Sequence, residues 1–128
     1  MRALIQRVSS ASVSTGGGNV NSIDQGFCIL LGVGPDDTEQ IAEKLWSKIS
    51  KLRIFEDQDG KTNLSLRDVD GAVLLVSQFT LYADCRKGNR PSFTKGASPD
   101  LANHLYEYFA QLVRNDGVEL KTGWFGAM

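Results

Sequence analysis

The stretch GAVLLVSQFTLYA, residues 71–83, decides the predicted fold, because it is a long apolar run in a chain of only 128 residues. A second apolar run, GFCILLGVG, occupies residues 26–34. Continuous apolar runs of this length are typical of strands that are buried on both faces of a sheet. The two runs therefore predict two central strands, and Cys28 in the second run is predicted to be a small core residue.

Two amphipathic segments predict helices that cover this sheet. The first helix should run from about residue 37 to 52, with Asp36 as its cap and Glu39 completing a capping box. The second should begin at Ser98-Pro99, because proline is favoured at the first helical position, and should end near residues 115–117. Helical spacing predicts two buried stripes. They consist of Ile41, Leu45, Trp46, Ile49 and Leu52 in the first helix and Leu101, Leu105, Tyr108, Phe109 and Leu112 in the second.

The remaining segments predict further strands. Polar and apolar residues alternate over residues 2–8 and 9–14, and a glycine-rich turn at 15–19 should return the chain as a hairpin over 20–24. VELKT, residues 118–122, predicts a last strand. The order is roughly β-β-β-α-β-β-α-β. It predicts a sheet-rich, single-domain α/β fold with two helices packed on a mixed or antiparallel sheet.

Composition excludes several classes of function. The formal net charge is −1, so the overall charge gives no argument for nucleic-acid binding. No apolar run approaches the ~20 residues of a membrane span, and the start lacks the apolar core of a signal peptide. Cys28 and Cys85 have no cysteine or histidine neighbour at metal-ligand spacing, so no metal site is predicted. Free thiols fit a reducing cytosol.

Several chemically suggestive residues have a simpler interpretation. The glycines of residues 32–34 lack the third glycine of a dinucleotide loop, and aspartates follow them, so a strand-to-helix turn is favoured. The single histidine, His104, is predicted to lie on or near a helix surface. Four aspartates are predicted to bind backbone groups in turns. They are Asp57, Asp59, Asp68 and Asp70.

The segment from Ser77 onward is different, because Ser77, Gln78 and Thr80 interrupt an apolar strand. Polar side chains in a buried strand need hydrogen-bond partners. Either they face the open side of an alternating strand, or they line a site. The loop of residues 84–95 carries four cations against one aspartate, a local charge of +3. That loop is either simply solvated or faces a polyanion.

The motifs SQFTLYAD (77–84) and GNRPSFTKGA (88–97) closely resemble the two signature motifs of the D-aminoacyl-tRNA deacylases, historically the D-tyrosyl-tRNA deacylase family. The opening MRALIQRVSSASV and the GFCILLGVG strand are also similar to that family. The resemblance implies a cytoplasmic homodimer with a barrel-like arrangement of its sheets. It implies an enzyme that hydrolyses the ester of D-aminoacyl-tRNA, and of glycine mischarged on tRNA, without a metal or organic cofactor.

The resemblance also implies roles for particular residues. The backbone amides of Phe79 and Thr80 would hold the oxyanion while the terminal 2′-hydroxyl of the tRNA helps to activate water. Alternatively, the Thr80 hydroxyl would attack as a nucleophile, but a threonine needs an activating base and the sequence offers none nearby. The expected substrate-binding residues are Ser77, Gln78, Arg90 and Phe93, and the expected tRNA-binding residues are Arg86 and Lys87.

The chain departs from the family at its end. Members usually continue into a strand with an Asn-x-Gly-Pro segment, whose Gly-Pro pair reaches into the partner's pocket and excludes L-amino acids. Here the sequence ends GWFGAM at Met128. Either the natural chain continues beyond Met128 or this member lacks the element. Over residues 1–128 we expect a single deacylase domain without the usual C-terminal strand. The alternative function is non-catalytic nucleic-acid binding on the same fold.

Overall fold

The computed structural model describes residues 1–16, 19–77 and 98–124. Within these ranges the chain forms two helices and eight strands. They are β1 (Arg2–Val8), β2 (Ala11–Gly16), β3 (Asn19–Ile23), β4 (Gly26–Gly32), α1 (Glu39–Ser50), β5 (Phe55–Glu56), β6 (Thr62–Leu64), β7 (Ala72–Ser77), α2 (Pro99–Asn115) and β8 (Leu120–Trp124). The predicted α/β class is confirmed. Four strands precede α1 rather than the three of the predicted order, because residues 2–14, where the pattern continues as one strand, form the separate strands β1 and β2.

The main sheet has four strands in the order β1-β4-β7-β8. β1 is antiparallel to β4, whereas β4, β7 and β8 are mutually parallel neighbours. The sheet is therefore mixed, as predicted. The two apolar runs supply its central strands, β4 and β7, and the hairpin of β2 and β3 forms a separate two-stranded sheet.

One face of the sheet, here called the helix face, packs against α1 and α2. β4 and β7 contribute side chains that are at most 1% exposed. They are Phe27, Ile29, Leu31, Val73 and Leu75. The Phe27 ring stacks on Phe55, with ring centroids 5.1 Å apart, and Trp46 of α1 meets Phe109 of α2 edge to face at 5.9 Å. These contacts make the helix face the principal core of the described residues.

The opposite face, here called the hairpin face, is covered less completely. The β2–β3 hairpin contacts β7 and β8, where Leu74 and Val76 are buried. Leu30 and Cys28 on β4 are only half-buried, and Leu4 on β1 is 49% exposed. The prediction that β4 is buried on both faces is therefore wrong at Cys28 and Leu30, because the hairpin packs mainly over β7 and β8. Cys28 is likewise not a fully buried core residue.

Helix α1 starts later than predicted. Its cap is Thr38, whose hydroxyl accepts from the Ile41 amide at 3.3 Å, and not Asp36. The carboxylate of Asp37 accepts instead from the Gly34 amide at 2.7 Å and from the Met1 amino group. Ile41 is 38% exposed, so its predicted place in the buried stripe is wrong.

The buried face of α1 is built from Ala42, Trp46 and Ile49. These residues follow the i, i+4, i+7 spacing of a single helix face. Leu45 and Leu52 from the predicted stripe are half-buried. The prediction favoured large side chains and so passed over Ala42, which is fully buried.

Helix α2 begins and ends as predicted. The Ser98 hydroxyl caps the helix by accepting from the Leu101 amide at 3.3 Å, and Pro99 follows in the first turn. Gly117, just beyond the helix, has a φ of 79°, which glycine adopts without steric cost. Of the predicted stripe, Leu105 and Phe109 are buried, whereas three residues are half-buried: Leu101, Tyr108 and Leu112. The remaining buried positions of α2 are Tyr106, Ala110 and Val113.

The parallel pairing of β4 and β7 brings Gly26 very close to its neighbour. A Cβ atom at position 26 would lie 1.8 Å from the carbonyl oxygen of Ala72. Only glycine fits this approach, since no other residue lacks a Cβ. Within the described ranges, neither helix combines the length and the apolar character that crossing a membrane requires.

Candidate active site

The candidate site lies at the edge of the sheet where three parallel strands end. The register aligns Leu31 of β4 with Ser77 of β7, and Ser77 with Trp124 of β8. In open α/β sheets, ligands bind at the carboxyl ends of parallel strands. Ser77 begins the SQFTLYAD motif, so the sheet delivers this motif to the edge where a binding site is expected.

Ser77 lies at the end of β7 on the helix face. Successive side chains of a strand point to opposite faces, and Leu75, two residues earlier, belongs to the core under the helices. Ser77 is half-buried, unlike the five fully buried residues that precede it in β7. The structure thus places this predicted substrate-binding residue at the end of the buried strand, beside the candidate site.

Tyr106 of α2 holds the ends of β7 and β8 from the helix face. Its hydroxyl oxygen lies 2.7 Å from the carbonyl oxygen of Leu75 and 2.9 Å from that of Gly123. The side chain is buried, and burial raises the pKa of Tyr106 to about 12. The phenol therefore keeps its proton at physiological pH and can donate it to either carbonyl.

The β2–β3 hairpin holds the end of β8 from the opposite face. The Asn21 side-chain amide donates to the Thr122 carbonyl at 2.6 Å. A Cβ atom at Gly123 would lie 2.6 Å from a methyl carbon of Val13, so the hairpin packs directly on the strand backbone there. The end of β8 is thus clamped between Tyr106 and the hairpin.

Both helices begin at this edge and run parallel to each other. His104 Nε2 of α2 lies 2.9 Å from the Glu39 carboxylate of α1, and the Tyr108 hydroxyl donates to Glu43 at 2.5 Å. The Glu43 bond contributes most to a raised pKa of Tyr108, about 12. Helix N-termini carry partial positive charge. At this edge the carboxylates of Asp37, Glu39 and Asp100 lie at the same helix starts and offset that charge.

The profile of the family described as D-Tyr-tRNA(Tyr) deacylase matches residues 4–128. The chain belongs to this deacylase family. The resemblance of the two motifs is therefore confirmed by a match over almost the whole sequence.

Relatives in this deacylase family extend over the full chain. A D-aminoacyl-tRNA deacylase of Thermus aquaticus is 58% identical over 128 residues, which are 100% of this chain and 84% of the relative. One of Thermotoga petrophila is 54% identical over 127 residues, 99% of this chain and 85% of the relative.

Two solved structures share the fold. The c-Myc DNA unwinding element binding protein has a TM-score of 0.89 and 39% identity, and the match covers 100% of this chain and 87% of that one. A probable eukaryotic D-amino acid tRNA deacylase has a TM-score of 0.83 and covers 97% and 88% of the two chains. At 16% identity, the second similarity shows the fold alone.

Most of the deacylase residues expected from the sequence lie outside the described residues. They are Gln78, Phe79, Thr80, Arg86, Lys87, Arg90 and Phe93. Ser77 is the predicted site residue that the structure places, and the roles of the others stay predictions. Sequence reasoning missed Tyr106 as a support of the site. Its signal was the spacing of residues 106, 110 and 113, which share a helix face.

The interpretations of His104, Asp57 and Asp68 agree with the structure, whereas the Asp59 and Asp70 side chains form no such backbone bond among the described residues. His104 is exposed and paired with Glu39, as expected of a surface histidine. Asp57 accepts from the amides of Asp59 and Lys61 at 2.9 and 3.1 Å, and its pKa is lowered chiefly by the bond from Lys61. Asp68 accepts from the amide and hydroxyl of Ser65, and these bonds lower its pKa.

A groove of about 690 Å³ lies at the opposite edge of the sheet, between the C-terminal ends of α1 and α2. Its lining is mixed in charge. Asp116 accepts there from the Trp46 indole at 3.1 Å and forms an ion pair with Arg67. These carboxylate and guanidinium groups satisfy one another and lie far along the sheet from Ser77, so we assign the groove no part in the reaction.

The described residues by themselves offer little catalytic chemistry. Apart from Tyr106 and the Asp37 carboxylate, whose side chain is 8% exposed and paired with the Met1 amino group, their charged and polar side chains are at least partly exposed, and no group of three or more His, Cys, Asp or Glu side chains among them is arranged to hold a metal. Burial raises the pKa of the half-buried Cys28 thiol, which disfavours the reactive thiolate. What these residues supply is a rigid support for the motif that follows Ser77.

Proposed function

We propose that this protein hydrolyses the ester bond of D-aminoacyl-tRNA and releases a free D-amino acid and tRNA. The observation that carries the proposal is the family match over residues 4–128, which includes both motifs. The relatives of more than 50% identity that are named D-aminoacyl-tRNA deacylase support it. Glycine mischarged on tRNA is proposed as a second substrate, since it has no side chain to distinguish its two faces.

The proposed chemistry uses backbone amides rather than an ionisable side chain. Water adds to the ester carbonyl, and the amides of Phe79 and Thr80 stabilise the negative charge on its oxygen. The bond to the ribose 3′-oxygen then breaks, and that oxygen takes up the proton released by the water. Each such donor supplies on the order of 10²–10³ in rate when it is fixed in advance.

The described residues support this scheme in two ways. The only histidine is exposed and bound to Glu39, so it offers no general base at the end of β7. The strand that leads to the amides is held two residues before its end by the Tyr106 hydroxyl at Leu75. A fixed strand costs little reorganisation when charge develops. The terminal 2′-hydroxyl of the tRNA is proposed to activate the water.

The first test is hydrolysis of D-Tyr-tRNA, with L-Tyr-tRNA measured in parallel. We expect loss of the D-ester well above the rate without protein. Binding of both RNAs without loss of either ester would contradict the proposal.

The mechanism is tested by two changes, one in the protein and one in the RNA. Thr80→Ala should retain kcat within about tenfold, whereas a substrate ending in 2′-deoxyadenosine should react ~10²–10⁴-fold more slowly, the range that proton transfer contributes. Thr62→Ala, an exposed threonine of β6, is the matched control. If folded Thr80→Ala loses nearly all turnover but still binds tRNA, the nucleophile mechanism is correct instead.

The remaining site residues are proposed from the same motifs. Ser77 and Gln78 orient the aminoacyl group, and Arg90 and Phe93 form the rim of its pocket. Arg86 and Lys87 contact the tRNA acceptor end through phosphates, which give affinity without reading sequence. The half-buried place of Ser77 at the carboxyl edge supports its part in this assignment.

A homodimer in the cytoplasm is proposed as the working form. Its support in the structure is the exposed Leu4 on the hairpin face, next to the half-buried Leu30 in the paired strand. A second copy of the chain packed on this face would cover both side chains. Light scattering should give twice the chain mass for the wild type and a lower mass for Leu4→Gln.

A second candidate function is non-catalytic nucleic-acid binding. It is favoured by the fold similarity, at 39% identity, to a protein named for binding a DNA unwinding element. The ester assay separates the two candidates, because a binding protein would retain D-Tyr-tRNA without releasing tyrosine.

A further inference from the structure

The outward surface of α1, together with its C-cap residue Lys51, carries three lysines in one line. Lys44, Lys48 and Lys51 are separated by four and three residues, so they lie on the same side of the helix. All three are exposed. We call these three residues the lysine stripe. On the N-terminal side of the stripe, one turn before Lys44, lies the exposed apolar side chain of Ile41.

The lysine stripe forms no ion pair within the described part of the chain, although Lys51 also lines the groove that contains Asp68 and Asp116. None of its ammonium groups forms a hydrogen bond or ion pair with another described residue. Three and four residues from Lys44 on either side lie Gln40, Ile41, Ser47 and Lys48, and none of them is acidic. Like charges at this spacing cost roughly 0.2–0.5 kcal/mol per pair in an isolated helix. The three ammonium groups therefore repel one another, and no glutamate on this side of the helix offsets the repulsion.

The acidic residues of α1 are on a different side. Glu39 and Glu43 face α2, where they bind His104 and Tyr108. Charge on α1 is thus segregated, with its carboxylates used between the helices and its lysines turned to solvent.

The outward surface of α2 differs in sign. Its exposed charged residues are Asp100, Glu107 and Arg114, which sum to −1 with neutral His104. Counted in the same way, Glu39, Glu43, Lys44, Lys48 and Lys51 sum to +1, so a polyanion that reaches the candidate site over the helices is attracted more by α1 than by α2.

The lysine stripe also begins near the candidate site. Six residues separate the end of β4 from the start of α1, which lies at the same edge of the sheet as Ser77. Lys44 lies about 8 Å along the axis from the helix start, and the stripe extends about 10 Å further, at 1.5 Å per residue. Its line leads away from the edge where the acyl group would be held.

We propose that the lysine stripe binds the phosphate backbone of the tRNA acceptor stem while the aminoacyl end occupies the carboxyl edge of the sheet. This rests on the proposed function and adds to it a surface outside both motifs. Lysines bind phosphates as point charges, so the stripe contributes affinity for every tRNA and no sequence preference.

The test compares two triple variants with the same loss of charge. One is Lys44→Gln/Lys48→Gln/Lys51→Gln. The control is Lys61→Gln/Arg114→Gln/Lys121→Gln, which removes three exposed cations from a turn, from α2 and from β8. Glutamine keeps a helix propensity close to that of lysine, so α1 should stay folded. Circular dichroism and thermal unfolding verify the fold of both variants.

Two substrates separate RNA contact from chemistry. D-Tyr-tRNA carries the acceptor stem, whereas D-tyrosyl adenosine carries only the terminal nucleoside. For the stripe variant we expect KM for D-Tyr-tRNA to rise about tenfold or more, with kcat nearly unchanged. The salt dependence of log KM should fall by roughly 2–3 in slope, about one for each lost phosphate contact. Turnover of D-tyrosyl adenosine should equal that of the wild type.

Two results would overturn the proposal. The stripe variant could match the wild type on D-Tyr-tRNA at all salt concentrations, as it would if the lysines served an acidic protein. The control variant could lose as much as the stripe variant, which would make the effect one of net charge. A wild type that hydrolyses neither substrate refutes the proposed function instead. Fluorescence anisotropy of labelled, uncharged tRNA then tests the stripe independently.

Discussion

The two faces of the sheet are covered by different means and to different degrees. On the helix face, α1 and α2 bury Phe27, Ile29 and Leu31 of β4 to within 1% exposure. On the hairpin face, the neighbouring residues Cys28 and Leu30 of the same strand are only half-buried. Strand β4 thus has one face in the core and one face that is partly exposed to solvent.

This difference separates the structural roles of the two faces. The helix face buries the large aromatic and branched side chains, and burial of apolar area is the main source of stability. The hairpin contributes fewer buried residues, and it packs on β7 and β8, the strands that end at the candidate site. The helix face therefore stabilises the fold, and the hairpin chiefly fixes the strands that support the motif.

The largest expected effect comes from truncating the same residue type on each face. Leu31→Ala should reduce the free energy of unfolding by about 2–5 kcal/mol, because a buried leucine leaves a cavity. Leu30→Ala, its immediate neighbour on the hairpin face, should cost the single chain roughly 1–2 kcal/mol, since part of its side chain is exposed there. Urea unfolding of both variants measures the difference. Equal losses would show that the hairpin face is as fully packed as the helix face.

The second prediction concerns the link between the helix face and the candidate site. Tyr106→Phe removes a buried hydroxyl from the carbonyls of Leu75 and Gly123 and should cost about 1–3 kcal/mol. Because these strands position the motif, we also expect kcat for D-Tyr-tRNA to fall about tenfold with KM nearly unchanged.

Tyr108→Phe is the control for this experiment, since its hydroxyl binds Glu43 between the helices and away from the strand ends. It should change stability by no more than about 0.5 kcal/mol and leave kcat unchanged. Wild-type kcat in a destabilised Tyr106→Phe protein would mean that the hydroxyl serves the fold alone.

The smallest effect is expected outside both faces, in the turn between β5 and β6. Backbone donors lower the pKa of Asp57 in the folded protein, so the bound carboxylate stabilises the fold fully above its unfolded pKa of about 3.9. That contribution is lost as the pH falls through and below this value toward the lower folded pKa. Asp57→Asn should therefore flatten the dependence of the unfolding free energy on pH between about pH 5 and 3.

Asp59→Asn provides the comparison, since the Asp57 carboxylate and not that of Asp59 accepts the turn's backbone bonds. Thermal unfolding at closely spaced pH values measures both. If the free energy of unfolding of Asp57→Asn depends on pH as it does in the wild type, the Asp57 carboxylate does not contribute to stability against acid.

The sequence predicted well the features that depend on local pattern. The apolar runs of residues 26–34 and 71–83 identified the two central strands, and Ser98-Pro99 identified the start of α2. These signals succeed because hydrophobic periodicity and capping act over a few residues.

Features set by distant contacts could not be predicted in this way. Asp36 was chosen as the cap of α1, but Asp37 is engaged by Gly34 and Met1, and the helix begins after Thr38. The exposure of the hairpin face of β4 depends on where the hairpin packs, which local pattern does not contain. The role of Tyr106 likewise requires knowing that β7 and β8 are neighbours.

For the candidate site, the motifs of residues 77–84 and 88–97 gave the family, which the profile match confirms. A motif resemblance points to a reaction, whereas hydrophobic periodicity indicates only secondary structure. The structure added the support beneath the motif and the position of Ser77, and the roles of the other motif residues stay predictions.

The close approach at Gly26 makes that position a marker of strand pairing. Because a single added carbon would collide with the Ala72 carbonyl at 1.8 Å, the parallel β4–β7 ladder and a side chain at position 26 exclude each other. Any substitution there forces the two central strands apart at their amino ends, opposite to the edge where Ser77 lies. A homologous chain with another residue at this position must therefore pair the amino ends of its two central strands differently, and its sequence alone reveals this difference.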